Sequence, residues 1–228
     1  MSLNTVTRID DRVTVRHALI SLSDKTGLDS LVKGLVAANP AIRLYSTGGT
    51  FTAIQTVLGS AAARHLTSVS DFTGQPEMQG GLVKTLDFKI YLGLLSETYN
   101  DAHVADLARC GAVPIDLVVV NLYPFQQTVV KPGCTPEQAR GNIDIGGPCM
   151  LRAAAKNYIR VACVTDPADY AAFTAEMKAG GGSVSLKTRY SLARKAFAHV
   201  AEYDAAISKY LTALPYEKAA AGYTLENR

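Results

Sequence analysis

Short apolar runs alternate with longer stretches of helical periodicity along the 228-residue chain. The runs at 18–22, 42–45, 65–69, 89–95, 117–122 and 161–165 are bounded by polar or glycine-rich punctuation and predict strands. Between them, 28–38, 51–58, 101–110, 148–156 and 167–179 predict helices, and a longer helical segment, expected to be broken, covers 186–211. This alternation predicts an α/β fold, a parallel sheet with helices on both faces and a C-terminal helical segment. The run D-L-V-V-V-N-L is apolar on both alternating sets of positions, so 117–122 is expected at the sheet centre, buried on both faces. Gly180, Gly181 and Gly182 predict a hinge or turn and not a domain boundary. The whole chain, 1–228, is read as a single domain with 1–16 and 216–228 as flexible ends.

A chain of this size buries a sizeable core without disulfides or metal staples. A net charge of +3 spread over scattered basic residues, with no Lys/Arg tract, argues against a nucleic-acid partner. The cysteines, Cys110, Cys134, Cys149 and Cys163, form no Cys-x-x-Cys pair, so neither a zinc site nor a redox dithiol is expected and the thiols are read as reduced. No signal-peptide pattern and no apolar stretch of membrane-spanning length occurs, which predicts a cytoplasmic protein without membrane contact. The histidines, at 17, 65, 103 and 199, belong to no Ser/His/Asp elbow or H-E-x-x-H, so histidine catalysis is disfavoured and no metal is expected.

The chemistry concentrates where predicted strands end. After the first strand comes S-L-S-D-K-T-G, in which Ser21, Ser23, Asp24 and Lys25 gather at a strand-to-helix turn. Such a turn binds anions through backbone N–H groups, the helix dipole and the lysine, but Ser23 or Asp24 can equally serve as a plain helix N-cap. After the second strand, S-T-G-G-T brings Thr47, Gly48, Gly49 and Thr50 to a similar turn, where glycines let the backbone approach a ligand closely. Neither loop has the Walker or dinucleotide glycine pattern, so nucleoside triphosphate and NAD are disfavoured. Two such loops at successive strand ends favour a phosphorylated small molecule. The central strand ends in N-L-Y-P-F, presenting Asn121 and Tyr123, with Phe125 expected in the core. Further on, N-I-D-I-G-G-P-C-M-L-R-A-A-A-K-N combines Asp144, a Gly-Gly bend and Lys156, a surface lysine unless its helix packs against the crevice.

In order along the chain, S-D-K-T-G, S-T-G-G-T, D-F-T-G-Q-P-E-M, V-K-T-L, D-L-V-V-V-N-L-Y-P-F, N-I-D-I-G-G and A-A-A-K-N are similar to the IMP cyclohydrolase domain of the bifunctional AICAR transformylase/IMP cyclohydrolase. The similarity covers about 18–211 and implies a methylglyoxal-synthase-like fold, a homodimer, no cofactor, and dehydrative ring closure of FAICAR to IMP in purine biosynthesis. Formyl transfer is then expected from a separate AICAR transformylase.

The resemblance assigns nucleotide binding to Ser21, Ser23, Asp24, Lys25, Thr47, Gly48, Gly49, Thr50, Asn121, Ile145 and Gly146. It matches Lys156 to the family's proton donor or acceptor, and the chemistry of ring closure leads us to expect that Lys84 and Thr85 steady the oxyanion while Asp144 with Tyr123 orients the carboxamide. The family's run G-R-V-K-T-L-H-P-K-V-H-G-G reads G-L-V-K-T-L-D-F-K-I-Y-L-G here, with Leu82, Asp87, Phe88 and Tyr91 at altered positions. A leucine cannot replace an arginine's bidentate hydrogen bonds to an anion, which leaves Lys25, Lys84 and Arg152 as the cations. The alternative reading is a non-catalytic nucleotide-binding regulatory or accessory module that partners a transformylase; methylglyoxal synthase itself ranks last.

Overall fold

The computed structural model of the chain describes residues 5–76 and 84–226. In chain order the elements begin β1 (Arg12–Thr14), β2 (His17–Leu22), α1 (Leu28–Ala38), β3 (Arg43–Ser46), α2 (Gly48–Leu58), α3 (Ala62–His65), β4 (Leu66–Ser68) and α4 (Val69–Thr73). They continue with α5 (Phe88–Leu95), α6 (Asp101–Cys110), β5 (Leu117–Asn121), α7 (Phe125–Val129), α8 (Pro136–Gly141), α9 (Gly146–Lys156) and β6 (Ala162–Val164). The last are α10 (Tyr170–Ala179), β7 (Ser183–Ser185), α11 (Leu186–Ala213) and α12 (Tyr216–Ala220).

A five-stranded sheet, ordered β4-β3-β2-β5-β6 with every described pairing parallel, forms the centre. Alternate residues of its inner strands serve opposite faces. Leu19, Val118 and Val120 pack with Leu94, Met150, Ala154 and Val200 from α5, α9 and α11. Ala18, Ile20, Leu117 and Val119 pack with Leu31, Leu35, Ile54 and Phe173 from α1, α2 and α10. A strand covered on both faces must be apolar on both, which is why β5 reads as an unbroken apolar run. The chain proceeds outward from β2 to β3 and β4, then returns to lay β5 on the other side of β2. That reversal opens a crevice between the carboxyl ends of β2 and β5, the place where sheets of this class bind ligands.

The segment expected to form a strand at 89–95 is the helix α5. Its buried residues, Ile90, Gly93 and Leu94, follow helical spacing, and the Asp87 side chain caps it by accepting from the Lys89 N–H at 2.8 Å. The short apolar run that suggested a strand is overridden by this cap and by packing. Helix α11, expected to be broken, runs uninterrupted for 28 residues. It contains neither glycine nor proline, starts at a Ser185 cap that accepts from Thr188 N–H, and stops just before Pro215.

Both ends expected to be flexible carry structure. β1 pairs antiparallel with β7, and the buried Arg189 guanidinium donates to the carbonyls of Asp10, Asp11, Tyr158, Ile159 and Val184. At the other end, α12 leads to Tyr223, whose phenol donates to Glu137. The glycine run is a tight turn in which Gly181 and Gly182 take φ of 61° and 88°, a region glycine enters without strain. No helix among the described residues is long and apolar enough to cross a membrane.

Candidate functional site

At the carboxyl ends of β2 and β5, the Asn121 carboxamide stitches the two strands together. Its Oδ1 accepts from the backbone N–H groups of Ser23 (2.6 Å) and Asp24 (3.0 Å), while its Nδ2 donates to the Asp24 carbonyl at 2.7 Å. The Ser23 hydroxyl donates to the Leu122 carbonyl at 2.7 Å, and the Thr50 hydroxyl is bonded to Leu22 N and O, each at 3.0 Å. These polar side chains shape the loops; what they leave open toward the crevice is backbone and the longer side chains.

The crevice is a cavity of about 770 Å³, within the size range of small-molecule sites. Helix α2 aims its N-terminus into it. Thr47 makes no side-chain cap and Gly48 has φ +48°, so the first-turn N–H groups face the cavity without an intrahelical partner. Two ammonium groups come to the same place. Lys84 Nζ lies 3.5 Å from where a Gly48 Cβ would stand, and Lys25 Nζ lies 3.8 Å from the corresponding point on Gly49. Cations beside the positive end of a helix make the position favourable for an anion.

Across the cavity, the Gly146–Gly147 start of α9 is pressed by Thr85 and Asp144. A Cβ on Gly146 would sit 2.6 Å from Thr85 Oγ1, and one on Gly147 would sit 2.5 Å from Asp144 Oδ2. The Asp144 carboxylate accepts from Gly147 N–H at 2.9 Å, and the Asp144 N–H donates to the Tyr203 phenol oxygen at 2.7 Å. Burial raises the Asp144 pKa above its ordinary value, while hydrogen bonds from the backbone N–H groups of Gly147 and Tyr123 act in the opposite direction. The cavity therefore pairs cationic and helix-terminal groups on one wall with the Asp144 carboxyl and the half-exposed Tyr123 ring on the other.

All the sequence-predicted site residues line this cavity except Asp24 and Lys156. Asp24 turns away: its carboxylate accepts from the Thr26 N–H (2.9 Å) and hydroxyl (2.7 Å), which hold its pKa below the usual value, and it lines an adjoining cavity of about 390 Å³. Lys156 is exposed at the last turn of α9, whose first turn meets the cavity, and the helix rise carries its backbone about 15 Å from the glycine pair. Arg152, on the same helix, lies over the Phe197 ring at 5.9 Å and does not line the cavity. Leu82 lies outside the described residues. Sequence reasoning missed Tyr203, which no local pattern links to Asp144 because 59 residues separate them. It also missed Gly147 as a contact, although the paired glycines were signal enough.

A profile of the MGS-like domain matches residues 27–149, more than half of the chain. The chain belongs to the methylglyoxal-synthase-like (MGS-like) family. A second profile, described as AICARFT/IMPCHase bienzyme, matches residues 154–227 of this MGS-like protein. Among curated relatives, the bifunctional purine biosynthesis protein PurH of Neisseria gonorrhoeae is 50% identical over 200 residues, and that of Neisseria meningitidis serogroup A is 50% identical over 201. Each alignment covers 88% of this chain and 37% of the relative, so the chain spans little more than a third of those proteins' length. A solved structure, described as the crystal structure of ForH, is 32% identical with a TM-score of 0.73, covering 86% of this chain and 98% of that one. The similarity to the IMP cyclohydrolase domain read from the ordered motifs thus holds for this MGS-like chain.

Proposed function

We propose that this chain is an enzyme of purine biosynthesis that closes FAICAR to IMP, the IMP cyclohydrolase reaction. The observation that carries this reading is the meeting of Lys25 and Lys84 at the α2 N-terminus, opposite a carboxyl of raised proton affinity. Relatives half identical to the chain are named as purine biosynthesis proteins, and the motifs shared with the cyclohydrolase domain surround this cavity.

An amide nitrogen is a weak nucleophile, so ring closure needs proton removal, stabilisation of the formyl oxygen and a held rotamer. The carboxamide nitrogen attacks the formyl carbon and a C–N bond forms. Its proton passes to Asp144, and the former carbonyl oxygen, carrying negative charge, is steadied by Lys84 and Thr85. That oxygen takes back the proton held on Asp144; the formamido nitrogen then loses its own proton to the departing oxygen as the C–O bond breaks and a C=N bond forms, and the oxygen leaves as water. Tyr123 orients the carboxamide, and Lys25 with the Gly48–Gly49 amides grips the ribose phosphate. Proton transfer falls to Asp144 because it lies in the cavity and Lys156 does not.

The same reading carries a cytoplasmic homodimer, with AICAR formylation as the step that supplies substrate. Purified protein mixed with FAICAR should generate the absorbance of IMP, and Lys84→Ala should slow this by about tenfold or more. A wild-type rate no faster than the uncatalysed one would reject the assignment.

A further inference from the structure

We infer that Tyr203 is a positioning residue, whose phenol on α11 clamps the 142–144 segment against the 123–125 segment and so sets where the Asp144 carboxyl points. Its oxygen accepts the Asp144 N–H at 2.7 Å and donates to the Asn142 carbonyl at 3.2 Å, bridging two backbone groups of the strip that carries the carboxyl. Its ring stands edge-on to Phe125 with centroids 6.3 Å apart, two residues beyond Tyr123. One side chain therefore touches both the 142–144 and the 123–125 segments.

The helix that brings it there has little freedom to shift. Ala196, Val200 and Tyr203 are buried along one face of α11, seated in the core that also holds α9 and β5. Around the carboxyl, the titratable groups are Lys25 and Lys84 across the cavity, Tyr123 beside it, and Tyr203 with Asp204 on α11. Neither lysine reaches the 142–144 backbone in the described hydrogen bonds; the phenol does.

The inference rests on the assignment of Asp144 to the reaction for its kinetic arm only. Tyr203→Phe keeps the ring on Phe125 and removes the hydroxyl alone. Tyr210→Phe is the control, since that ring also stands edge-on to Phe125, at 5.7 Å, on the same helix. Tyr203→Phe should lower kcat for FAICAR cyclisation about tenfold with KM changed less than about twofold, the signature of a misplaced group and not of lost binding. In the same variant, the Asp144 carboxyl, followed by ¹³C NMR, should titrate closer to the ordinary carboxylate value as the loosened strip admits water.

Tyr210→Phe should match the wild type in both measurements. A Tyr203→Phe protein with unchanged kcat and unchanged titration would overturn the inference, as would an equal loss in both variants. If the titration moves while Asp144→Asn keeps full activity, the positioning stands and the assigned reaction falls. If the wild type shows no cyclisation, the NMR comparison alone decides.

Discussion

Asp144 occupies a setting that opposes its own charge, since burial outweighs two backbone hydrogen bonds and its pKa rises on folding. A carboxyl of that kind binds its proton more tightly in the folded than in the unfolded chain, so it lowers stability above its folded pKa. The penalty fades as pH falls through that pKa. Asp144→Asn should therefore raise the thermal midpoint at neutral pH while abolishing cyclisation, a pairing that calorimetry and the absorbance assay check together. Activity follows the opposite sign: the carboxylate form accepts the proton, so the kcat profile should fall on its acid side, with its midpoint raised from the ordinary aspartate value. Gly147 is bound to the same residue sterically. Gly147→Ala places a methyl 2.5 Å from Asp144 Oδ2 and 2.6 Å from Leu122 Cδ2, and should cut kcat by at least about tenfold, because both neighbours would have to move.

Among the elements, α1 and α6 were legible to the residue from apolar spacing, and β5 from its apolar run. What escaped was set by contacts distant in sequence. Helix α5 looks like a strand until Asp87 is seen as its cap and Gly93 is found with its Cβ position 2.5 Å from the Val113 carbonyl. Strands β1 and β7, three residues each, are too short to show a period and exist because they pair with one another. The two loops that line the cavity were readable because each is a local turn at a strand end. Lys156 was placed by its motif and not by local geometry; it stands exposed at the far end of α9 from the glycine pair. Element-scale packing also identifies the most sensitive position outside the cavity. Arg189 is fully buried and serves five carbonyls that link α11, β7 and the N-terminal segment. Arg189→Lys retains the charge but not the planar fork, and should lose about 2–4 kcal/mol in urea unfolding.

On the scale of the whole molecule, the two ends of the sheet are specialised differently. The carboxyl ends of β2 and β5 hold the cavity, while near their amino ends Asp116 accepts from the N–H groups of Arg16 (2.9 Å) and His17 (3.0 Å) and from Arg160 Nη1 at 3.0 Å. That buried network braces the sheet at the end remote from the chemistry. On the proposed function, Lys25 and Lys84 would hold a phosphate through charge in a solvent-connected cavity, so affinity for inorganic phosphate should weaken as salt rises. The slope should flatten in Lys25→Ala and Lys84→Ala, a comparison that titration calorimetry resolves.

The carboxamide stitch from Asn121 to Ser23 joins positions 98 apart in the chain. A partly synthesised protein that has emerged only through α6 possesses both glycine-bearing turns yet lacks the strand that brackets them. On the proposed function, ligand competence therefore requires β5 to dock beside β2. A nucleotide added to refolding chains would time that docking, and would be blind to whichever turn had formed first.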